Sequence, residues 1–240
     1  MSSEVTFRLD GKSIAFQPGD TIMDAALRAG EYIPHLCHNP EFQPHGSCRV
    51  CIVDIGGRKV SACTHPASAG LEVANNTEEI TEQRRTLVQM LFVEGNHVCP
   101  GCEKSGACQL QAVAYYTDML SPHFTHFFPK RALDASHPDA VIDFNRCILC
   151  ELCVRASRDV DHKNVFAIDG RGIGSRLVIN SSSGKLGDSN FSADDKAAHV
   201  CPVGAILSKH RGFDTPIGER LYDRKPISVV GDVAAHEDEV

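Results

Sequence analysis

Apolar and polar positions alternate in two short runs near the start of the chain, residues 5–9 (VTFRL) and 13–16 (SIAF), on either side of Asp10-Gly11. A period of two turns one face of each run inward. Asp-Gly supplies the positive φ of a tight turn, so the pair predicts a β-hairpin. Pro18-Gly19-Asp20-Thr21 then turns the chain. The period lengthens beyond it, with Ile22, Ala25, Ala26 and Ala29 on one helical face, a cap at Asp20 or Thr21, and Gly30 at the end. A second hairpin is predicted over 50–55 and 58–63 around Gly56-Gly57. The order β-β-α-loop-β-β describes a small sheet packed on one helix.

Residues 77–93 predict a longer helix, with Ile80, Leu87, Val88 and Leu91 at helical spacing, Thr77 as cap and Gly95-Asn96 as breaker. A further helix is predicted from near Cys108 to about Leu120. Residues 121–138 carry Pro122, Pro129 and Pro138 among several His and Phe. They predict an ordered connector, since a flexible linker carries few aromatics. A strand is expected at 141–145, and 165–169 is expected to pair with 176–180. The glycines of Gly170–Gly174 (GRGIG) read as the turn between that pair, because no helix follows and the order G-x-G-x-x-G fails. Residues 181–190 predict a surface loop. Residues 214–240, with Pro216, Pro226 and the acidic run Glu237, Asp238, Glu239, predict an extended tail strapped to a partner. The fold class is α+β.

Eleven cysteines in 240 residues change the picture. The opening MSSEVTFRLD has no apolar h-region, and no stretch approaches the roughly 18 apolar residues of a membrane span, so a cytoplasmic chain is expected. In that reducing compartment, and in odd number, the cysteines point to metal rather than disulfides. A net charge of −7 without a basic stripe argues against nucleic-acid binding.

The cysteines form three groups. Cys37, Cys48, Cys51 and Cys63 read C-x10-C-x2-C-x11-C, four thiolates around a compact loop, suiting a [2Fe–2S] cluster. Gly46 and Ser47 leave room for backbone N–H groups to approach the sulfurs. Nearby His35, His38 and His45 are expected as surface or outer-sphere groups, because four cysteines already suffice. Cys99, Cys102 and Cys108 are one ligand short of a [4Fe–4S] cluster. His97 is the nearest completion, with His123, His126 and His137 as alternatives. Cys147, Cys150 and Cys153 make the C-x2-C-x2-C run of bacterial ferredoxins, but the fourth place is Ser157. In two-cluster ferredoxins the fourth cysteine of each run ligates the other cluster. Cys201-Pro202 keeps that place in a second run whose remaining places are Phe191, Asp194 and Ala197. One complete [4Fe–4S] set survives: Cys147, Cys150, Cys153 and Cys201. Zinc is the competing metal, but structural zinc usually pairs two C-x2-C knuckles, which the triple run does not match.

These residues resemble a known family. G-S-C-R-V-C at 46–51, C-P-x-C-E-K-S-G-x-C-Q-L-Q at 99–111 and C-I-L-C-E-L-C at 147–153 are similar to the N-terminal cluster region of the large complex I iron–sulfur subunit and to the N-terminal modules of iron-only hydrogenases. The resemblance covers about residues 1–212. Both relatives continue into a large C-terminal domain. A free-standing form of this length, with L-F-V-E-G-N-H at 91–97, resembles the small diaphorase subunit of NAD-reducing nickel–iron hydrogenases.

The resemblance implies a β-grasp [2Fe–2S] domain at 1–76, a small helical [4Fe–4S] domain with one histidine and three cysteine ligands at 77–120, and a connector at 121–137. A ferredoxin-like [4Fe–4S] domain at 138–212 and a tail at 213–240 would follow. It implies a flavoprotein partner holding FMN and NAD, next to the His97 cluster, and hydrogenase small and large subunits on the other side. Electrons would cross the ferredoxin-like and then the histidine-ligated cluster, with the [2Fe–2S] site as a side branch or reservoir. The chain would have no catalytic residues of its own. One departure stands out: relatives place the histidine four residues before the first cysteine, where this chain has Gly95. The same wire would also serve an NAD-linked formate dehydrogenase or a complex I-like NADH dehydrogenase. The rival of another class is a zinc-held interaction module.

Overall fold

A computed structural model of the chain describes residues 5–232. The first hairpin forms as β1 (Thr6–Leu9) and β2 (Lys12–Ala15), and α1 follows at Ile22–Arg28. Thr21 caps α1 through a capping box with Asp24, satisfying two otherwise unpaired donors. Asp20 instead pairs with Arg28 at 2.8 Å. The second hairpin is β3 (Ile52–Ile55) and β4 (Arg58–Ser61). A three-residue strand absent from the expectation, β5 (Glu72–Ala74), joins the two hairpins. It runs parallel to β1 and antiparallel to β3, giving the order β2-β1-β5-β3-β4. Phe7, Leu9, Ile22, Met23, Val53 and Val73 bury one face of this sheet against α1.

Helix α2 spans Glu78–Glu94 behind Thr77, whose hydroxyl accepts the Ile80 N–H. It lays Arg84 against the back of the sheet, where the buried guanidinium donates to the carbonyls of Val50, Ile52 and Asn75. Helix α3 is Gln109–Tyr116. Strand β6 (Leu133–Asp134) pairs with β7 (Ala140–Asp143), and helix α4 spans Leu152–Asp159. Strands β8 (Phe166–Asp169) and β9 (Arg176–Ile179) form the expected pair. Helix α5 (Lys196–His199) and strand β10 (Ile206–Ser208), which pairs with β7, complete this part. One continuous apolar core runs beneath α3, α4, the β6–β7–β10 sheet and the β8–β9 pair. The loop at 181–190 is not wholly superficial: Leu186 is fully buried, and its N–H donates to Asp134 at 2.7 Å.

The connector is pinned rather than slack. Phe127 N–H donates to Val93 O at 3.0 Å, and Asn96 Nδ2 donates to Pro129 O at 2.7 Å.

The tail returns to its own body as far as Asp232, in contrast to the extended strap expected; the acidic run 237–239 lies outside the described residues. Its last turn, α6 (Ile227–Val230), buries Ile227 in the large core. Tyr222 N–H donates to Gly106 O at 2.8 Å, and Arg220 donates to Ser105 O at 3.0 Å. Asp232 meets the buried ring of His35 at 2.8 Å. Asp223 locks this turn by accepting from Arg220 and from the Gly218 N–H, and its carboxyl is held down at about 2 by the Arg220 guanidinium. The folded value lies below the ordinary 3.8, so the stabilisation is present above that pH and fades as pH falls through about 2. With Arg220 partly in solvent, Asp223→Asn is expected to cost about 1 kcal/mol. Thermal melts at neutral pH would register this cost, and the gap to wild type would close below pH 3.

Candidate metal centres

The β3–β4 hairpin brings the ends of the first group together. Ala62 N–H donates to Cys51 O at 3.0 Å, which sets Cys51 Sγ 3.3 Å from Cys63 Sγ. The loop after α1 carries Cys37 to the same place, where its sulfur accepts from the Cys48 and Cys63 thiols, the Cys48 N–H and the Ser47 hydroxyl. These bonds hold Cys37 far below the ordinary thiol range, while the same contacts raise Cys48 and Cys63. Cys51 is lowered to about 7 by Cys63. Four thiols this close do not all ionise unless a cation compensates them. Arg49, between Cys48 and Cys51, has a φ of +60°. Side chains other than glycine hold such a backbone where the surroundings over-determine it. His35 and His38 are buried rather than superficial. His35 donates or accepts at both ring nitrogens, whereas neither ring nitrogen of His38 has a partner. His45 bonds Glu151 at 3.2 Å.

The third group surrounds a small pocket lined by Cys147, Cys150, Cys153 and Cys201 among Ile148, Leu149, Ile168, Leu177 and Val203. Leu149 and Glu151 have φ of +53° and +59°. That curvature turns the Leu149 and Leu152 N–H groups toward the sulfurs of Cys147 and Cys150. Burial pushes the Cys147 thiol up to about 11 and raises Cys150 and Cys153 further. Three of the four places of a second ferredoxin cluster are filled by packing, and the other, Asp194, is exposed. Ser157 is buried and accepts the Val165 N–H at 2.8 Å, Ala197 is buried, and Phe191 packs edge-on against Phe166.

The second group also surrounds a small pocket, lined by His97, Cys99, Cys102 and Cys108 with Phe92, Leu110 and Arg146. Cys108 is buried at the start of α3, and burial raises its thiol to about 12. His97 Nε2 is buried without a hydrogen-bond partner. Burial lowers that ring to about 4 and keeps it neutral, the form that binds metal. The other histidines named as alternatives are engaged elsewhere: His126 accepts from Phe128 N–H and His137 from Asp139 N–H. The His97 ring leans back over residue 95. A Cβ there would stand 2.5 Å from Nε2, so glycine at 95 makes space for the histidine two residues later.

Among the described residues, no three His, Cys, Asp or Glu side chains close on one point as a single ion requires. In the second and third groups the thiols and the orphaned imidazole ring wider spaces, which suits polynuclear iron–sulfur groups better than zinc at about 2.3 Å from each sulfur.

The three cysteine groups adjoin one another, the first and second through Gln109 Nε2, which donates to His35 O at 3.0 Å. Arg155 reaches Cys37 O at 2.5 Å and Cys150 O at 3.4 Å. On the other side, the segment after Cys201 separates third from second: Pro202 O accepts the Gln109 N–H at 2.9 Å, and a Cβ on Gly204 would meet Cys102 Sγ at 2.9 Å. Arg155, Gly95 and Gly204 were not singled out as site residues from the sequence. Gly95 is marked there only as a helix breaker and as the departure four residues before Cys99, and the one signal of Arg155 and Gly204 is closeness to cysteines.

Comparison with known proteins gives three matching family models. Residues 2–78 match a 2Fe-2S iron-sulfur cluster binding domain, residues 84–123 an NADH-ubiquinone oxidoreductase-G iron-sulfur binding region, and residues 141–207 a 4Fe-4S single cluster domain. The chain is 42% identical over 225 residues to the NAD-reducing hydrogenase HoxS subunit gamma of Cupriavidus necator, covering 93% of this chain and 94% of that one. The chain belongs to the NAD-reducing hydrogenase gamma-subunit family. A chain in the crystal structure of an NAD+-reducing [NiFe]-hydrogenase in the H2-reduced state superposes with a TM-score of 0.93 at 54% identity, over 97% of this chain and 99% of that one. Members of this gamma-subunit family share their cluster region with larger proteins. The mitochondrial NADH-ubiquinone oxidoreductase 78 kDa subunit of Candida albicans is 31% identical over 88% of this chain, which spans 29% of that relative.

Proposed function

We propose that the chain is the electron-transfer iron–sulfur subunit of an NAD-reducing hydrogenase, working in the cytoplasm between a flavoprotein that holds FMN and NAD and the hydrogenase small and large subunits. Cys37, Cys48, Cys51 and Cys63 hold one [2Fe–2S] cluster within a unit at 1–76. His97, Cys99, Cys102 and Cys108 hold one [4Fe–4S] cluster within 77–120, and Cys147, Cys150, Cys153 and Cys201 hold another within 138–212. Bound clusters supply one-electron carriage. The chain's own residues bind them, bury them and donate N–H groups to their sulfurs, contributing no catalytic residue.

The observation that carries this reading is the adjacency of the three thiol groups, in a chain matched along nearly its whole length by a hydrogenase subunit. The test is anaerobic affinity isolation of the tagged full chain from its host, with metal and flavin analysis. The expected complex contains iron, nickel and FMN and reduces NAD with hydrogen. Molybdenum in place of nickel would mean a formate dehydrogenase, and zinc without iron would overturn the electron-transfer role.

A further inference from the structure

Arg155 lies one turn into α4, two residues after Cys153, and is 4% exposed. Its guanidinium makes no ion pair among the described residues. Asp159, the nearby carboxylate, is occupied by Arg158 at 2.6 and 2.8 Å. All its hydrogen-bond acceptors are main-chain carbonyls: Cys37 at 2.5 Å, Gln43 at 3.0 Å, Cys150 at 3.4 Å and Glu151 at 3.3 Å. The guanidinium carbon also sits 5.7 Å from the centre of the Phe42 ring. Carbonyl dipoles solvate a buried cation but do not neutralise it, and an unpaired buried charge is costly. Two of the four acceptors belong to cysteines of different groups, separated by more than a hundred residues of chain. A planar five-donor fork bonds to both loops at once, which the single ammonium of lysine does not.

We propose that Arg155 is a positioning residue shared by two clusters: one guanidinium ties the Cys37 loop to the Cys150 loop and is the common counter-charge that raises the reduction potentials of both the first and the third cluster. This rests on the ligand reading above. Thiolate-ligated clusters are anionic, and each becomes more so when it takes up an electron. A fixed positive charge beside both therefore favours both reduced states. None of the residues that Arg155 contacts belongs to the His97 group, so that cluster is an internal control.

The experiment is a potentiometric titration of the full chain followed by electron paramagnetic resonance, in wild type, Arg155→Gln and Arg155→Lys. In R155Q the reduction equilibria of the first and third clusters are each expected to weaken by about tenfold, about 59 mV for a one-electron couple. The His97 cluster stays in place. R155K, which keeps the charge, should bring both couples back to within about threefold of wild type. A shift at one cluster alone, or at neither, with all three present, overturns the proposal. If R155Q loses iron, the first and third clusters must be lost together with the second retained, and R155K must hold both clusters with their couples within about threefold of wild type. Loss at only one of the pair contradicts it. Wild-type protein without these two spectra would instead overturn the ligand assignment.

Discussion

Replacing Cys201 with alanine should empty the third site and interrupt the electron path. Cys201 closes the third cavity from a part of the sequence nearly fifty residues beyond Cys153, and beside Cys147, Cys150 and Cys153 no other described cysteine lines that space to replace it. Iron should fall from about ten to about six per chain. The first cluster's signal should survive, because its sheet and α1 have a core of their own. Hydrogen-driven NAD reduction by the assembled complex should drop by more than the roughly 10–100-fold that follows loss of an outer-sphere partner. Unchanged turnover with the third cluster gone would show that it is not in series.

Gly95→Ala should be nearly as damaging, although it touches no ligand covalently. Residue 95 has φ −111° and ψ −179°, an extended conformation that alanine adopts freely. The cost is spatial. The added methyl would sit 2.5 Å from His97 Nε2 and 2.9 Å from the Asn145 carbonyl oxygen. That carbonyl is fixed by the Asn96 N–H at 2.8 Å, so the imidazole must swing away. Retention of the second cluster should fall by about 10–100-fold, as when a partner that orients a ligand is lost, and His97→Ala should reproduce the loss. Intact second-cluster spectra in both variants would remove His97 from the ligand set.

Much of the fold was legible because it rests on local signals. Asp10-Gly11 and Gly56-Gly57 mark their turns, Thr21 and Thr77 cap their helices, and each feature lies where the spacing placed it. Strand β5 was hidden because three residues carry too little alternation to stand out; it is a strand only through pairing with β1 and β3. The tail misled for a related reason. Ile227 shares its turn with Val229 and Val230 and shows no period that marks it as the inward residue, and its burial depends on a pocket built by distant elements.

The site divided in the same way. Metal-ligand spacing is a local property of thiols, so the cysteine groups could be read directly. The gathering of Cys201 with the C-x2-C-x2-C run followed from the ferredoxin crossover rule, and the structure places it on that cavity. Residues that act across the sequence left no trace. Arg155 reaches a carbonyl 118 residues before it, and Gly95 and Gly204 matter for the volume they leave free.

The central claim is that three iron–sulfur clusters sit on these twelve ligands. The most direct measurement is iron and acid-labile sulfide content of the full chain purified without oxygen, with electron paramagnetic resonance after reduction. The expected result is about ten irons and an equal number of sulfides per chain, with one [2Fe–2S] and two [4Fe–4S] signals. A folded, colourless protein whose thiols bind zinc or titrate as free would contradict it.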